Sequence, residues 1–377
     1  MTSETTKPAA RTATGSIPRP RVRVPLWDNA RFACVALVVV GHAIQRQTYD
    51  SNNALSLYLF IYAFHMPAFA IISGYFSKAA PPGARQMKKV VTDILLPYVI
   101  METIWTLVKF AVEGDPKFNP TEPSWTLWFL LALAIFRLIL PYLALLRGPL
   151  VWTLVFSVGV GYLANVDSTF SLSRAIGILP FFVLGWKLAD WSLVDRWRNA
   201  PTRVVYPVRA LALGVFAAWM AVILLNINAF REFDLQLWFF YDDSYQGLGA
   251  AVWWAGVLRL GLILLATLLS AAFFALIPRR ETWFTAFGQA TMYIYLLHSF
   301  VLYPIREAGI LREEHASATW LLSMVLASLA ISMLLASTPV RRLFRPIIEP
   351  KPRWIFRDGS DAPARESRTD PTGARRR

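Results

Sequence analysis

The feature that most restricts this chain is a series of apolar runs long enough, or nearly long enough, to cross a bilayer. They lie at roughly 30–47, 54–77, 90–112, 125–146, 150–166, 171–189, 207–228, 247–277, 287–305 and 317–337. Hydrocarbon offers no partner to a backbone amide, so a crossing segment must satisfy its own hydrogen bonds, as a helix or as part of a closed barrel. The runs have helix length and lack the ten-residue alternation of barrel strands, which predicts an all-α, polytopic membrane bundle of about ten transmembrane helices. A chain of 377 residues that is 56% apolar and only 16% charged fits the bilayer as its main solvent.

Loop charge orients the bundle, because Lys and Arg concentrate on the cytoplasmic side. Lys78, Arg85, Lys88 and Lys89 follow the second run. Lys187, Arg196, Arg198 and Arg203 follow the sixth, and Arg279 and Arg280 the eighth. The intervening loops carry acids: Glu113, Asp115 and Glu122 after the third run, then Glu232, Asp234, Asp242 and Asp243 after the seventh. This alternation predicts a multi-pass plasma-membrane protein with both termini cytoplasmic. Residues 1–26, with Lys7, Arg11, Arg19, Arg21 and Arg23 among Thr, Ser, Pro and Ala, read as a disordered basic tail. Residues 27–337 form the membrane domain. Residues 338–377, with Arg341, Arg342, Arg345 and Arg375 to Arg377, read as a second disordered basic tail that lies on anionic lipid. The net charge of +14 therefore reports topology and not a nucleic-acid partner. The single cysteine, Cys34, falls inside the first run and cannot form an intrachain disulfide.

Ionisable residues inside a membrane are costly and mark candidate chemistry. Arg31 sits near the cytoplasmic mouth of the first run, and His42 follows eleven residues later. On a helix that spacing puts both on one face, about 16 Å apart. Asp28 precedes Arg31 by one turn and is within its reach. The second run contributes His65 near mid-depth, two residues before Pro67, with Gly74 allowing close backbone approach. His298 lies at a depth similar to that of His42, Glu102 stands near the middle of the third run, and His315 falls in an outer loop. A lone intramembrane histidine often only bonds a neighbouring helix, and that is the preferred reading of His65. Arg31 and Asp28 also fit a cytoplasmic helix anchor. Trp125, Trp128, Tyr293 and Tyr295 fit an interfacial aromatic belt better than a sugar platform.

Several blocks resemble the membrane acyltransferase-3 family, and within it the branch of sugar O-acetylases such as fucose 4-O-acetylases. They are the Arg31–His42 spacing, FHMPAFAIISGYF at 64–76, LLPY at 95–98, WTLWFLLAL at 125–133 and YIYLLHSF at 293–300. The likeness covers residues 25–335. It implies transfer of an acyl group, usually acetyl, from cytosolic acyl-coenzyme A to a hydroxyl of a carbohydrate or related acceptor of a bacterial cell envelope, with no metal. By that resemblance His42 is the general base, and Arg31, His298 and Glu102 complete the catalytic set. Arg31, Arg85, Lys88 and Lys89 meet the donor's phosphates. The family's two arginines with two residues between them are here Arg85 and Lys88, followed by Lys89, so charge is kept and a bidentate grip at the second position is lost. The partners implied are the bilayer, the acyl donor and the hydroxyl acceptor, with a homodimer left open. The competing reading is a proton-coupled transporter or flippase of a glycan, in which histidines and Glu102 relay protons.

Overall fold

The computed structural model describes residues 23–80, 83–114, 118–166, 169–308, 317–351 and 355–356, and every regular element among them is helical. Most of both tails, together with His315 and Asp115, lies outside the described residues. Helix α1 spans Pro25–Ile44, with proline in its first turn and Asp28 beside its positive end, and a 3₁₀ turn carries it to Thr48. The second run is broken in two. Helix α2 (Asn52–Tyr62), capped by the Ser51 hydroxyl at 3.3 Å from the Ala54 amide, gives way to α3 (His65–Tyr75) at Ala63 and Phe64. The third run begins as α4 (Ala84–Val90), passes through a π turn at Val91–Leu95 and continues as α5 (Leu96–Glu113). Pro97 has no amide to give the preceding turn, and the wider π turn absorbs that loss. Gly114, at φ +73°, ends α5 in a left-handed conformation that favours glycine.

The rest of the bundle comprises α6 (Trp128–Leu143), α7 (Pro149–Val160), α8 (Leu172–Asp190), α9 (Leu193–Arg198), α10 (Thr202–Leu225), α11 (Ile227–Glu232), α12 (Ala255–Leu276), α13 (Thr291–Glu307), α14 (Ala318–Leu335) and α15 (Thr338–Ile348). Each of the ten expected runs contains a helix. Seven helical segments among the described residues are long and apolar enough to cross a membrane: Pro25–Thr48, Asn52–Tyr75, Ala84–Glu113, Thr169–Asp190, Thr202–Leu225, Ala255–Leu276 and Ala318–Leu335. The other three expected runs appear as α6, α7 and the 17-residue α13. At twelve residues α7 extends about 18 Å, less than the hydrocarbon thickness. The chain is thus an all-helical, multi-pass membrane protein over its described residues.

Two boundaries differ from the sequence expectation. The run at 247–277 becomes helical only at Ala255, because Gly247 to Trp254 form turns whose Gly249 adopts φ +72°. The basic C-terminal segment is not disordered throughout, since 338–348 form α15. Its apolar side, Val340, Phe344 and Ile347, packs on the core while Leu343 is exposed. Such a two-faced segment gains enough burial to hold a helix that net charge alone does not reveal.

α1 is the central helix, with 78% of its apolar window buried, whereas α10 and α14 are 17% and 22% buried and present leucines such as Leu211, Leu225 and Leu322 outward, as helices facing lipid do. α3 and α8 make the closest helix pair. A methyl group at Gly74 would strike the Phe182 carbonyl, and one at Gly185 the Ile71 carbonyl, so both glycines are needed for this approach. The start of α1 is tied down by fully buried Asn29. Its amide donates to the carbonyls of Pro278 (2.9 Å) and Arg280 (3.0 Å), and its oxygen accepts from the hydroxyls of Thr285 (2.7 Å) and Thr282 (3.1 Å).

Candidate active site

α1 carries a cavity at each end. Near its C-terminus a cavity of about 350 Å³ is lined by His42 of α1, by Gln45 of the 3₁₀ turn that follows, by Tyr58, Tyr62 and His65 of α2 and α3, and by Trp125, Trp128, Arg174, Phe240 and Arg306 from the surrounding elements. His42 and His298 meet here, with ring centroids 5.5 Å apart and planes tilted by 35°. The two rings thus stand side by side, in keeping with the similar depth read from the sequence. Fully buried His298 has its Nδ1 3.1 Å from the Ile294 carbonyl. Because a carbonyl only accepts, Nδ1 carries the proton in the neutral ring and Nε2 holds a lone pair. That Nε2 and the Nδ1 of His42 are buried without hydrogen-bond partners among the described residues, while the Gln45 side chain is within hydrogen-bonding reach of His42. Tyr62 braces His42 edge-on at 6.5 Å, and a side chain at Gly41 would collide with the Tyr62 ring.

His65 combines two roles. Its Nδ1 lies 2.9 Å from the Ile61 carbonyl, which supports the structural reading, although the carbonyl is not the one Pro67 leaves free. The same ring packs against Tyr62 at 4.7 Å and reaches the cavity wall. Glu102 stands apart from the histidine pair. It is buried, and both of its oxygens are taken by Ser124, one by the amide at 2.8 Å and the other by the hydroxyl at 2.7 Å. Lys109 donates to the same hydroxyl at 2.9 Å. The carboxylate pins the segment leading to Trp125 and Trp128, and it does not line the cavity.

Three cavity features went unread in the sequence. Arg174, at the start of α8, lies over the Trp128 ring at 4.6 Å and pairs with Asp242. Burial pushes the Asp242 carboxyl above the ordinary carboxylate range, against the opposing pull of Arg174. Arg306 lies over the Trp125 ring at 4.9 Å, with Glu307 3.7 Å from its Nε. An arginine just inside an apolar run was the available signal for Arg174, and the acid-rich loop after the seventh run holds its partner. Trp125 and Trp128, expected in an aromatic belt, instead stand in the cavity wall under these guanidinium groups.

At the other end of α1, Arg31 bonds Asp28 at 3.0 Å, as the one-turn spacing implied, and lies over the Phe76 ring at 4.4 Å. Both line a cavity of about 570 Å³ with Arg23, Trp27, Gln289 and Met292. Lys88 reaches an adjoining cavity of about 540 Å³ that shares Met292. Arg85 and Lys89, on the same short α4, are exposed and line neither. The cavity at the His42 end and those at the Arg31 end have no lining residue in common.

The chain is 28% identical over 223 residues to nodulation protein NolL of Mesorhizobium japonicum, a match covering 54% of each chain, so it spans about half the length of that relative. No solved structure matches. The profile of the family described as "Acyltransferase domain" matches residues 25–337, which include both histidines of the pair and both ends of α1, and the chain belongs to this acyltransferase-3 family.

Proposed function

We propose that the protein is a membrane O-acyltransferase that takes an acyl group, acetyl by the family branch, from cytosolic acyl-coenzyme A and places it on a hydroxyl of a carbohydrate or related acceptor. The observation that carries this reading is the His42–His298 pair at one end of α1, with an arginine-bearing cavity at the other. Charge alternation puts the Arg31 end in the cytoplasm, where the donor is, and the His42 cavity towards the outer side.

The donor supplies a thioester; the chain's residues supply position and a base. Arg31, already oriented by Asp28 and Phe76, meets phosphate oxygens at the cytoplasmic mouth, and Lys88 adds charge beside it. The pantetheine arm is long and thin enough to follow α1 inward for about 16 Å. At the His42 end, Trp125, Trp128 and Tyr58 border the space that receives a sugar ring. His42 takes the proton of the acceptor hydroxyl as its oxygen bonds to the acyl carbon. The carbon–sulfur bond breaks, and the sulfur leaves as a thiolate that recovers a proton from the imidazolium. His298, whose tautomer is set by the Ile294 carbonyl, packs with its ring centre 5.5 Å from that of His42 and holds the His42 ring in place.

The test is made on full-length protein purified in detergent. Acetyl-coenzyme A binding and its slow hydrolysis are measured for wild type, Arg31→Ala and His42→Ala. The expected pattern is weakened binding in Arg31→Ala, and retained binding with lost hydrolysis in His42→Ala. No binding by a folded wild-type preparation, with acceptor sugars present, would discard the acyltransferase reading.

A further inference from the structure

Residues beyond 337 lie outside the family match, yet they build one wall of the second cavity at the Arg31 end. α15 packs along α13 and α5, with Ile348 buried and Arg341 5.9 Å from the centre of the Tyr293 ring. Past Ile348 the chain contributes Glu349, Pro350, Lys351 and Phe356 to the lining, opposite Lys88 and Thr92. The Phe356 ring centre stands 4.8 Å from the Lys88 ammonium, so the C-terminal segment touches α4. Through Met292 this cavity adjoins the one that holds Arg31.

The two carboxylates that border it already have partners. Glu349 pairs with Arg345 at 3.4 Å, and Asp93 accepts from the Thr92 hydroxyl at 2.8 Å. Lys88 and Lys351 add positive charge across the same space. A pocket with two ammonium groups and an aromatic ring, adjoining the cavity that holds Arg31, matches a phosphorylated nucleoside better than an acyl chain or a neutral sugar.

Coenzyme A ends in such a group, an adenosine bearing a 3′-phosphate, at the far end of its diphosphate from the thiol. With the arm running along α1 from Arg31, the nucleoside end extends away from the bundle axis towards the adjoining cavity. Resting on the acyl-coenzyme A reading above, we infer that α15, Lys351 and Phe356 complete the donor site. Phe356 packs against the adenine, and Lys351 with Lys88 holds the 3′-phosphate. The segment that looked like a lipid-bound tail then contributes directly to donor recognition.

The experiment compares coenzyme A with 3′-dephospho-coenzyme A, by equilibrium binding to full-length protein in nanodiscs at fixed ionic strength. Wild type is expected to bind coenzyme A about tenfold more tightly than the dephospho form, the value of one charge-assisted contact. Lys351→Ala, at an exposed position with little bearing on folding, should reduce that ratio to about twofold or less, and Lys351→Arg should keep most of it. Phe356→Ala should weaken both ligands alike. An unchanged ratio in Lys351→Ala, or a wild type that does not distinguish the two ligands while binding both, overturns the inference and leaves the donor reading standing. A wild type that binds neither ligand removes both.

Discussion

The two ends of α1 solve opposite problems with the same few residue types. At the Arg31 end Arg31 lies over Phe76, and the group that fixes it is a carboxylate one helical turn away on the same helix. At the His42 end the two arginines lie over tryptophan rings, and the carboxylate that holds Arg174 comes from a loop 68 residues away in sequence. The first arrangement suits a flexible polyanion that arrives from water. The second suits a ring that must be stacked, dried and aimed at a base. Under the proposed function, one helix then sets the distance between a donor mouth and an acceptor mouth.

The comparison predicts that damage at one end leaves the other end's binding terms intact. The largest effect should come where the two meet. His42→Ala is expected to lower acyl transfer by about 10²- to 10⁴-fold, the usual range for losing a general base, with the folded amount in membranes unchanged. Retained transfer in that variant breaks the scheme. His298→Ala should fall short of this loss, because His298 acts through His42.

Next in size is the split between substrates. Arg31→Ala should raise the apparent KM for the acyl donor about tenfold and leave that for the acceptor alone, whereas Arg174→Ala or Trp128→Ala should do the reverse. Steady-state kinetics with each substrate varied in turn decides it. If Arg174→Ala moved the donor's KM instead, the separation of the two mouths would fail. Smaller still, and different in kind, is Glu102→Ala. It strands the Ser124 hydroxyl and amide and should cost about 1–3 kcal/mol of stability, read as a lowered Tm in detergent, with a loss of activity that follows the loss of fold.

How much of this was legible in the sequence depends on the range of the contact concerned. The Asp28–Arg31 pair, the equal depth of His42 and His298, and the role of Gly74 all followed from helical spacing, because one turn or one span fixes them. Glu102 was read as a partner for histidine since an acid in mid-span needs explanation. The segment at 118–127, which carries Ser124, folds back to meet it, and no periodicity announces that. Arg174 and Asp242 were invisible as a pair, since nothing in a sequence joins a helix start to a loop 68 residues on. α15 was hidden by its charge. Three arginines in eleven residues suggest solvation, and only the position of Val340, Phe344 and Ile347 on one side reveals the buried face.

The finest distinction between the two mouths is electrostatic. Asp242 lies in the loop over the His42 cavity, and burial raises its proton affinity above that of an ordinary carboxyl in spite of Arg174. The sign of the resulting pH dependence is the reverse of the familiar carboxylate case. In the interval between its raised folded value and the ordinary unfolded one, about 4, the folded protein binds the proton more readily than the unfolded chain does. Its contribution to stability therefore grows as pH falls from neutrality towards that value. Asp242→Asn, neutral at every pH, should remove this slope while altering stability by no more than about 1 kcal/mol. The measurement is Tm against pH for wild type and variant between about pH 7 and pH 4. A wild-type advantage that shrank on acidification would mean that Arg174 prevails over burial and holds the carboxylate charged. In that event Arg174 is fully neutralised by its partner, leaving it to support Trp128 and not to attract the acceptor.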